Sequence, residues 1–307
     1  MLEVLAKAVA FIAIIIIGYQ CKKQGMFAKD DYKIVSKIIL NMTLPAAVIT
    51  SFGHFQMDYS LFVLMALGLI CNILMMALAL LQTRGDTTAA KLFYIFNVTG
   101  YNIGCFTMPF VQSFLGPAGV IAICMFDVGN SIMCTGMTFA LAASLIGDAD
   151  GKKEAFSLHN VLLKLWGSKP FLVYISMLLY AMAGLKVPEA LLPFLNILAQ
   201  ANPFLCMLMI GMMFELNLDA KAFSYIKGVY LGRYLPGLAA AAVAYFYGPF
   251  SLETNKVLAA AFLAPATVIG LIFLEQLKGN VPLSGVANSL SIATSVILLT
   301  LFFTLTH

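Results

Sequence analysis

Phe96-Asn97-Val98-Thr99-Gly100-Tyr101-Asn102-Ile103-Gly104 sets two asparagines, a threonine and two glycines inside an apolar run that covers residues 89–112. An uninterrupted membrane helix would carry leucine and isoleucine there. Glycine lowers the cost of non-helical dihedrals, and Pro109, within the next two turns, cannot donate to the ladder behind it. The stretch therefore predicts a helix broken near mid-membrane. Backbone freed at that depth is tolerated only where protein or a water-filled cavity satisfies it, which makes the break a candidate binding site. A simple kink with glycines for close packing is the plainer reading. A second break at the equivalent place elsewhere in the chain would favour the site.

The surrounding composition supports a membrane setting. Of 307 residues, 62% are hydrophobic and 10% charged, against about 45–50% and about 25% in soluble domains. A window of about 19 residues finds ten apolar segments: 4–20, 34–53, 59–81, 89–112, 118–146, 169–185, 191–214, 223–247, 255–275 and 283–305. At about 20 residues per span, they leave no room for a tethered enzyme or an ectodomain. A phosphate loop of the GxxxxGK[ST] kind is missing, so transport is expected to run on gradients. The six cysteines form no CxxC pair and read as small hydrophobes, with no metal site and no cofactor expected. His54, His159 and His307 fall in loops or at the terminus, which leaves a serine or cysteine nucleophile no base in the membrane. Only one aspartate lies deep in a span, too few for an aspartyl protease, and no enzyme is expected. A net charge of +4 without a basic tract gives no nucleic-acid partner.

Glu3 before the first apolar run and Lys22-Lys23 after it argue for a true first helix starting outside rather than a signal peptide. Alternating the loops from there places 15 of the 18 Lys and Arg residues on one side, with Lys7, Lys186 and Lys256 on the other. By the positive-inside rule both termini are extracytoplasmic, in a multi-pass protein of the plasma or inner membrane. The organisation read from this is a first five-helix repeat at 1–146, a cytoplasmic connection at 147–168, and a second repeat at 169–307. Phe156 to Trp166 within the connection has the spacing of a short interfacial helix.

Sliding the halves on each other gives a constant offset of 166 residues, pairing Phe96 with Phe262, Ile103-Gly104 with Ile269-Gly270, and Gly119-Val120 with Gly285-Val286. The same alignment sets the span-four break against Leu263-Ala264-Pro265-Ala266-Thr267 in span nine. Five spans per half is an odd number, so the halves are expected to be inverted. The fold class read from the sequence is an all-α membrane protein of ten transmembrane helices in a five-plus-five inverted repeat, with spans four and nine broken.

The ten spans, the inverted halves, the asparagine-rich break, and Lys169-Pro170 opening span six before Leu185-Lys186-Val187-Pro188-Glu189 resemble the auxin efflux carrier family. Its bacterial members include proteins described as malate or malonate permeases, and the bile-acid:sodium symporters are a more distant similar group. The resemblance covers essentially the whole chain, and the lack of a long central loop matches the bacterial permeases. It implies that spans four and nine cross as an X with substrate bound beside the crossing, and that the protein is a homodimer. Carried onto this sequence, the crossing falls at Asn97 to Gly104 and at Ala264 to Thr267, and Asn97 and Asn102 both fit the family's asparagine. The substrate-binding candidates are Asn97, Thr99, Gly100, Tyr101, Asn102, Ala264, Pro265 and Thr267, with Asn288 from span ten.

Asp127 lies about 13 Å into span five, near the midplane of a core about 30 Å thick. A central carboxylate costs about 2.5–3.5 kcal/mol and needs a partner. Asn130, Ser131, Cys134, Thr135 and Thr138 continue a polar stripe from it. Asp127 with Asn130 is read either as a coupling site, for H+ more than Na+ because a lone carboxylate in an apolar span has its charged form penalised, or as a structural hydrogen-bonding group. Asn288, Ser291, Thr294 and Ser295 give span ten a weaker polar face, for packing as much as for ligand. Pro45 and Pro203 are expected to kink spans two and seven, with Asn41, Thr43 and Asn202 either reaching the site or, as the favoured reading, supporting the kinks. Glu215, Arg233 and Glu275 are read as snorkelling or loop-pairing residues near the cytoplasmic ends.

These readings converge on a secondary transporter that moves a small organic anion across the bilayer by alternating access. The second half of each broken helix, starting near Asn102 and near Thr267, offers unpaired N–H groups and a positive dipole end. A carrier of neutral or weakly acidic indole-type solutes is the alternative, since the site shows no fixed cation in sequence. A channel or a non-transporting membrane sensor is the alternative from another class.

Overall fold

Apolar runs of this length can satisfy their backbone in hydrocarbon only as helices. The computed structural model describes residues 2–28, 30–53, 59–214 and 220–306, and Lys29, His54, Glu215 and His307 lie outside the described residues. Helices α1 (Leu2–Lys23), α2 (Tyr32–Phe52) and α3 (Phe62–Gln82) come first. Next is α4 (Thr88–Val98), followed after a break by α5 (103–115) and α6 (117–145), which part at Gly116. There φ is 63° and ψ −157°, a conformation glycine adopts without steric cost, and Pro117 then starts the new helix. The chain continues through α7 (Leu158–Gly167), α8 (Lys169–Met182), α9 (Leu192–Met213) and α10 (Ala220–Tyr247). Last come α11 (Leu252–Phe262), α12 (Ile269–Gln276) and α13 (Val281–Thr306). No strand occurs among the described residues.

Among the described residues, six helical runs are long and apolar enough to cross a membrane, or seven if α7 and α8, bent by 81°, make one span. The chain is thus a multi-pass, all-helical membrane protein. The gap between this count and the ten expected segments has identifiable causes. The span-nine segment is split into pieces too short to cross alone, and the second part of span four runs on through Gly116 into α6 as one stretch of 43 residues. Arg233, Pro236 and several tyrosines dilute the apolar residues of α10.

A close helix crossing, of α3 on α6, positions the interior. A Cβ on Gly68 of α3 would stand 2.1 Å from the Phe126 carbonyl oxygen, and one on Gly129 of α6 1.9 Å from that of Met65. Only paired hydrogens allow these backbones to touch, and the contact brings Asn72 of α3 against Asn130 of α6. The helices carrying Pro45 and Pro203 are joined by Thr43 Oγ1, which donates to Asn202 Oδ1 at 3.0 Å. Asn41 is exposed and bonds only its own helix, through the Lys37 carbonyl.

The short helix expected at 156–166 is α7, capped by Ser157. It buries Val161 and Leu165 and leaves Leu162, Leu163 and Trp166 exposed, while His159 is also on its outer side. Before it, the loop at Asp148 is tied to the turn after α12. Lys278 Nζ pairs with Asp148 Oδ2 at 3.0 Å and Asp150 Oδ2 at 2.5 Å, and the Ala149 amide donates to the Leu277 carbonyl at 2.9 Å.

The Lys152 amide, and after it the Lys278 ammonium, hold the Asp148 carboxyl below the usual carboxylate range. A group depressed in this way stabilises the fold above its unfolded pKa and loses that contribution as pH falls through the lower folded value. The stability difference between wild type and Asp148→Asn should be complete above about pH 5 and shrink as pH falls through the carboxylate range. Thermal melts of both proteins across that range test it, and a pH-independent difference would show that the ion pairs do not matter. The effect should also shrink in high salt, because the groups are at the surface.

Candidate functional site

The ladder of α4 ends at Val98, and Thr99 turns the chain out of the helix at ψ 159°. Gly100 follows with φ 78°, a left-handed conformation that a side chain would strain. In the second half, α11 ends at Phe262 and the chain stays non-helical to Val268. The two breaks meet. Tyr101 and Ala266 form an isolated antiparallel bridge, and the Asn102 amide donates to the Pro265 carbonyl at 2.9 Å. Two helices some 165 residues apart in sequence thus share a backbone contact that neither can make alone.

Each bridging residue is held on both its backbone groups by a helix of its own half of the chain. On the first side, Asn130 Oδ1 accepts from the Tyr101 amide at 3.1 Å while its Nδ2 donates to the Tyr101 carbonyl at 2.9 Å. On the second side, Ser291 Oγ accepts from the Ala266 amide at 3.0 Å and Asn288 Nδ2 donates to the Ala266 carbonyl at 3.1 Å. The amides and hydroxyls of α6 and α13 thus replace the lost helical bonds. Buried backbone groups are seldom left unpaired, and here the repair is local to each break.

The first break has extra support. Asn72 Oδ1 accepts from the Gly100 amide at 2.8 Å, and Asn72 Nδ2 donates to Asn130 Oδ1 at 3.0 Å. Asn130 Nδ2 also donates to Asp127 Oδ1 at 2.7 Å, so the carboxylate is joined to the Tyr101 peptide through one amide. Asp127 is buried, and its Oδ2 and the Tyr174 hydroxyl both lie within 4 Å of where a Cβ on Gly104 would be. Gly104 is in the first turn of α5, so the carboxylate faces the positive end of that half-helix.

Arg233 departs from its sequence reading as a snorkelling, cytoplasmic residue. It is buried, with 2% of its surface exposed. Its two terminal nitrogens donate to the Val98 carbonyl at 2.7 Å and the Ala264 carbonyl at 2.9 Å. Those oxygens lie at or just beyond the C-terminal ends of α4 and α11, where helix dipoles concentrate negative charge. The guanidinium also stands over the Tyr101 ring, 5.1 Å from its centre. A fixed cation therefore sits where the breaks meet, contrary to the premise that the site has none. Snorkelling fails for a simple reason: the interior supplies two unpaired carbonyls with the spacing of the guanidinium fork.

The remaining candidates divide into two groups. Thr99, Gly100 and Thr267 line a hollow of about 10 Å³, with Cys134 and Thr138 from α6. That is room for about one water, so this conformation closes the site. Asn102 is buried at 8% exposure, and its side-chain amide bonds none of the described residues. Its backbone carbonyl accepts from Thr107 Oγ1 at 3.3 Å. Ala264 and Pro265 contribute their carbonyls to Arg233 and to the Asn102 amide. Asn97 stands apart, two residues before the break, exchanging hydrogen bonds of 2.7 and 2.9 Å with Ser284 Oγ on α13. Among the described residues, no group of three or more His, Cys, Asp or Glu is placed to hold a metal ion.

Comparison with protein-family models and with curated proteins returns no match.

Three participants were missed in the sequence: Asn72, Tyr174 and the true place of Arg233. Asn72 is the one amide inside the apolar body of span three. Arg233 is about ten residues into the segment 223–247, as deep as Asp127 in its own. The depth arithmetic that singled out Asp127 applies equally to both.

Proposed function

We propose that the chain is a secondary transporter for a small organic anion. On this reading it is built as ten transmembrane helices in two inverted halves of the auxin efflux carrier type, with both termini outside and substrate bound where the broken helices meet. The observation that carries the proposal is the Tyr101–Ala266 bridge, with each residue clamped on both its backbone groups by its own half. Soluble helix bundles have no need of such a device. In a membrane it is costly unless the broken backbone does something.

Chemistry at the bridge favours an anion over a neutral solute. Two half-helix N-termini start close to the meeting point of the breaks, Arg233 adds a permanent positive charge, and the side-chain amide of Asn102 bonds none of the described residues and is open as a donor. Asp127, linked to the Tyr101 peptide through Asn130, is the coupling residue, and H+ is preferred over Na+ because a lone carboxylate in an apolar span has its charged form penalised. The protein acts in the plasma or inner membrane, as a homodimer, without a cofactor.

A thermal-shift screen of the purified protein against dicarboxylates, monocarboxylates and indole acids tests the substrate class. Specific binding at 100 times Kd raises stability by about 2.7 kcal/mol. A response to indole acids alone would select the alternative class of solute, and binding without uptake in proteoliposomes would make the protein a sensor. Orientation is tested separately with a cysteine at Lys152. An impermeant thiol reagent should fail to label it in intact cells, and labelling would reverse the topology.

A further inference from the structure

A cleft of about 280 Å³ opens between the end of α6 and the short helix α7, with Gly136, Phe139, Glu154, Asn160 and Lys164 among its walls. Residues 151–156 at its rim are exposed, so it faces water. The Phe139 ring forms part of its wall, with the Phe273 ring packed behind it. Phe139 and Phe273 are 5.2 Å apart between centres, and Phe273 also packs on Phe96 at 6.3 Å. Phe273 and Phe96 line the small hollow where the helix breaks meet, together with Thr138, the neighbour of Phe139. The ring pair therefore stands between the open cleft and the closed hollow.

Lys164 sits on this pair. Its Nζ is 3.7 Å from the centre of the Phe139 ring and 4.7 Å from that of Phe273. It is half-buried and makes no ion pair within 4 Å among the described residues. An ammonium on two ring faces is held by about 0.5–2 kcal/mol, which a carboxylate partner in a partly dry cleft can outbid. Glu154, the acidic residue in the wall, is at the exposed rim rather than on the rings.

We propose that this cleft is the cytoplasmic vestibule for a small carboxylate, and that Lys164 with Phe139 and Phe273 forms its gate. The carboxylate takes Lys164 off the rings, and the freed rings part toward the hollow at Gly100 and Thr267. The volume suits a ligand of a few carbons, below the usual range for drug-sized molecules. The inference rests on the transport reading above, but its gate can be tested without transport.

Cys134, buried beside the hollow, supplies the readout. In a variant with Cys134 as its only cysteine, the labelling rate by uncharged methyl methanethiosulfonate is measured in detergent. Labelling should be slow with the native gate, at least tenfold faster in Phe139→Ala/Phe273→Ala and in Lys164→Gln, and slow again in Lys164→Arg. Malonate, succinate or acetate should accelerate labelling of the native gate, with little effect on Lys164→Gln and a larger one on Glu154→Gln. Equal rates in all gate variants would overturn the gate, whatever uptake assays report. Fast gate variants with no response to any of the three acids would overturn the carboxylate as its opener. Proteoliposome uptake decides the transport reading independently, and the monodispersity of each variant on gel filtration excludes misfolding.

Discussion

Replacing Arg233 with methionine will cost the protein about 3–5 kcal/mol of stability, the range for removing one partner from a buried charged contact. Methionine fills much of the same volume but donates nothing, so the Val98 and Ala264 carbonyls are left facing a dry interior. Hydrogen bonds to charged groups contribute about 1.5–3 kcal/mol each, and two are lost. Arg233→Lys keeps the charge but not the fork and should recover about half of the loss. Melting of the detergent-purified variants, followed by gel filtration with fluorescence detection, measures this. A methionine variant that melts with wild type would mean that water, not Arg233, satisfies those carbonyls.

Asp127→Asn should abolish concentrative, gradient-driven uptake while leaving substrate exchange within about twofold of wild type. Asparagine imitates the protonated acid, and its carbonyl can still accept the 2.7 Å bond from Asn130 Nδ2, so the clamp on Tyr101 survives. On the proposed proton-coupled reading, what is lost is the proton that must come and go for the gradient to do work. Counterflow in proteoliposomes reports exchange, and uptake under an imposed pH gradient reports concentration. If concentrative uptake survives with unchanged pH dependence, Asp127 is structural and coupling lies elsewhere. Asp127→Ala is expected to do more harm, since it also strands a donor of Asn130.

The membrane class, the breaks and the partner helices were legible in the sequence because each leaves a polar mark on an apolar background. Gly100, Asn102 and Pro265 announce interrupted helices whatever surrounds them, and Asn130, Asn288 and Ser291 stand out for the same reason. What each amide holds was not legible, since Asn97 and Asn130 look alike in one dimension. Only the packing of α3 on α6 and of α4 on α13 assigns one to the Tyr101 peptide and the other to Ser284. Arg233 was misread through a default: cations near helix ends snorkel, and the carbonyls that reverse this belong to α4 and to the break after α11. No local pattern around Arg233 records them.

The distribution of bonds around the bridge also says how the molecule can change shape. Asn130 and Asn72 belong to the same part of the chain as Tyr101, and Asn288 and Ser291 to the same part as Ala266, so each repaired break can travel as one piece with its own supports. Few direct links at the bridge join the pieces: the Asn102 to Pro265 bond, and one arm of Arg233, whose other arm stays at home on Ala264. Opening the bridge alone sacrifices about two hydrogen bonds, a cost of a few kcal/mol, while a movement of the whole halves also breaks the Asn97–Ser284 pair and the Thr43–Asn202 bond. The cost at the bridge is within what differential binding of one ligand can supply, since about 5.5 kcal/mol is enough to invert a population from 1:99 to 99:1.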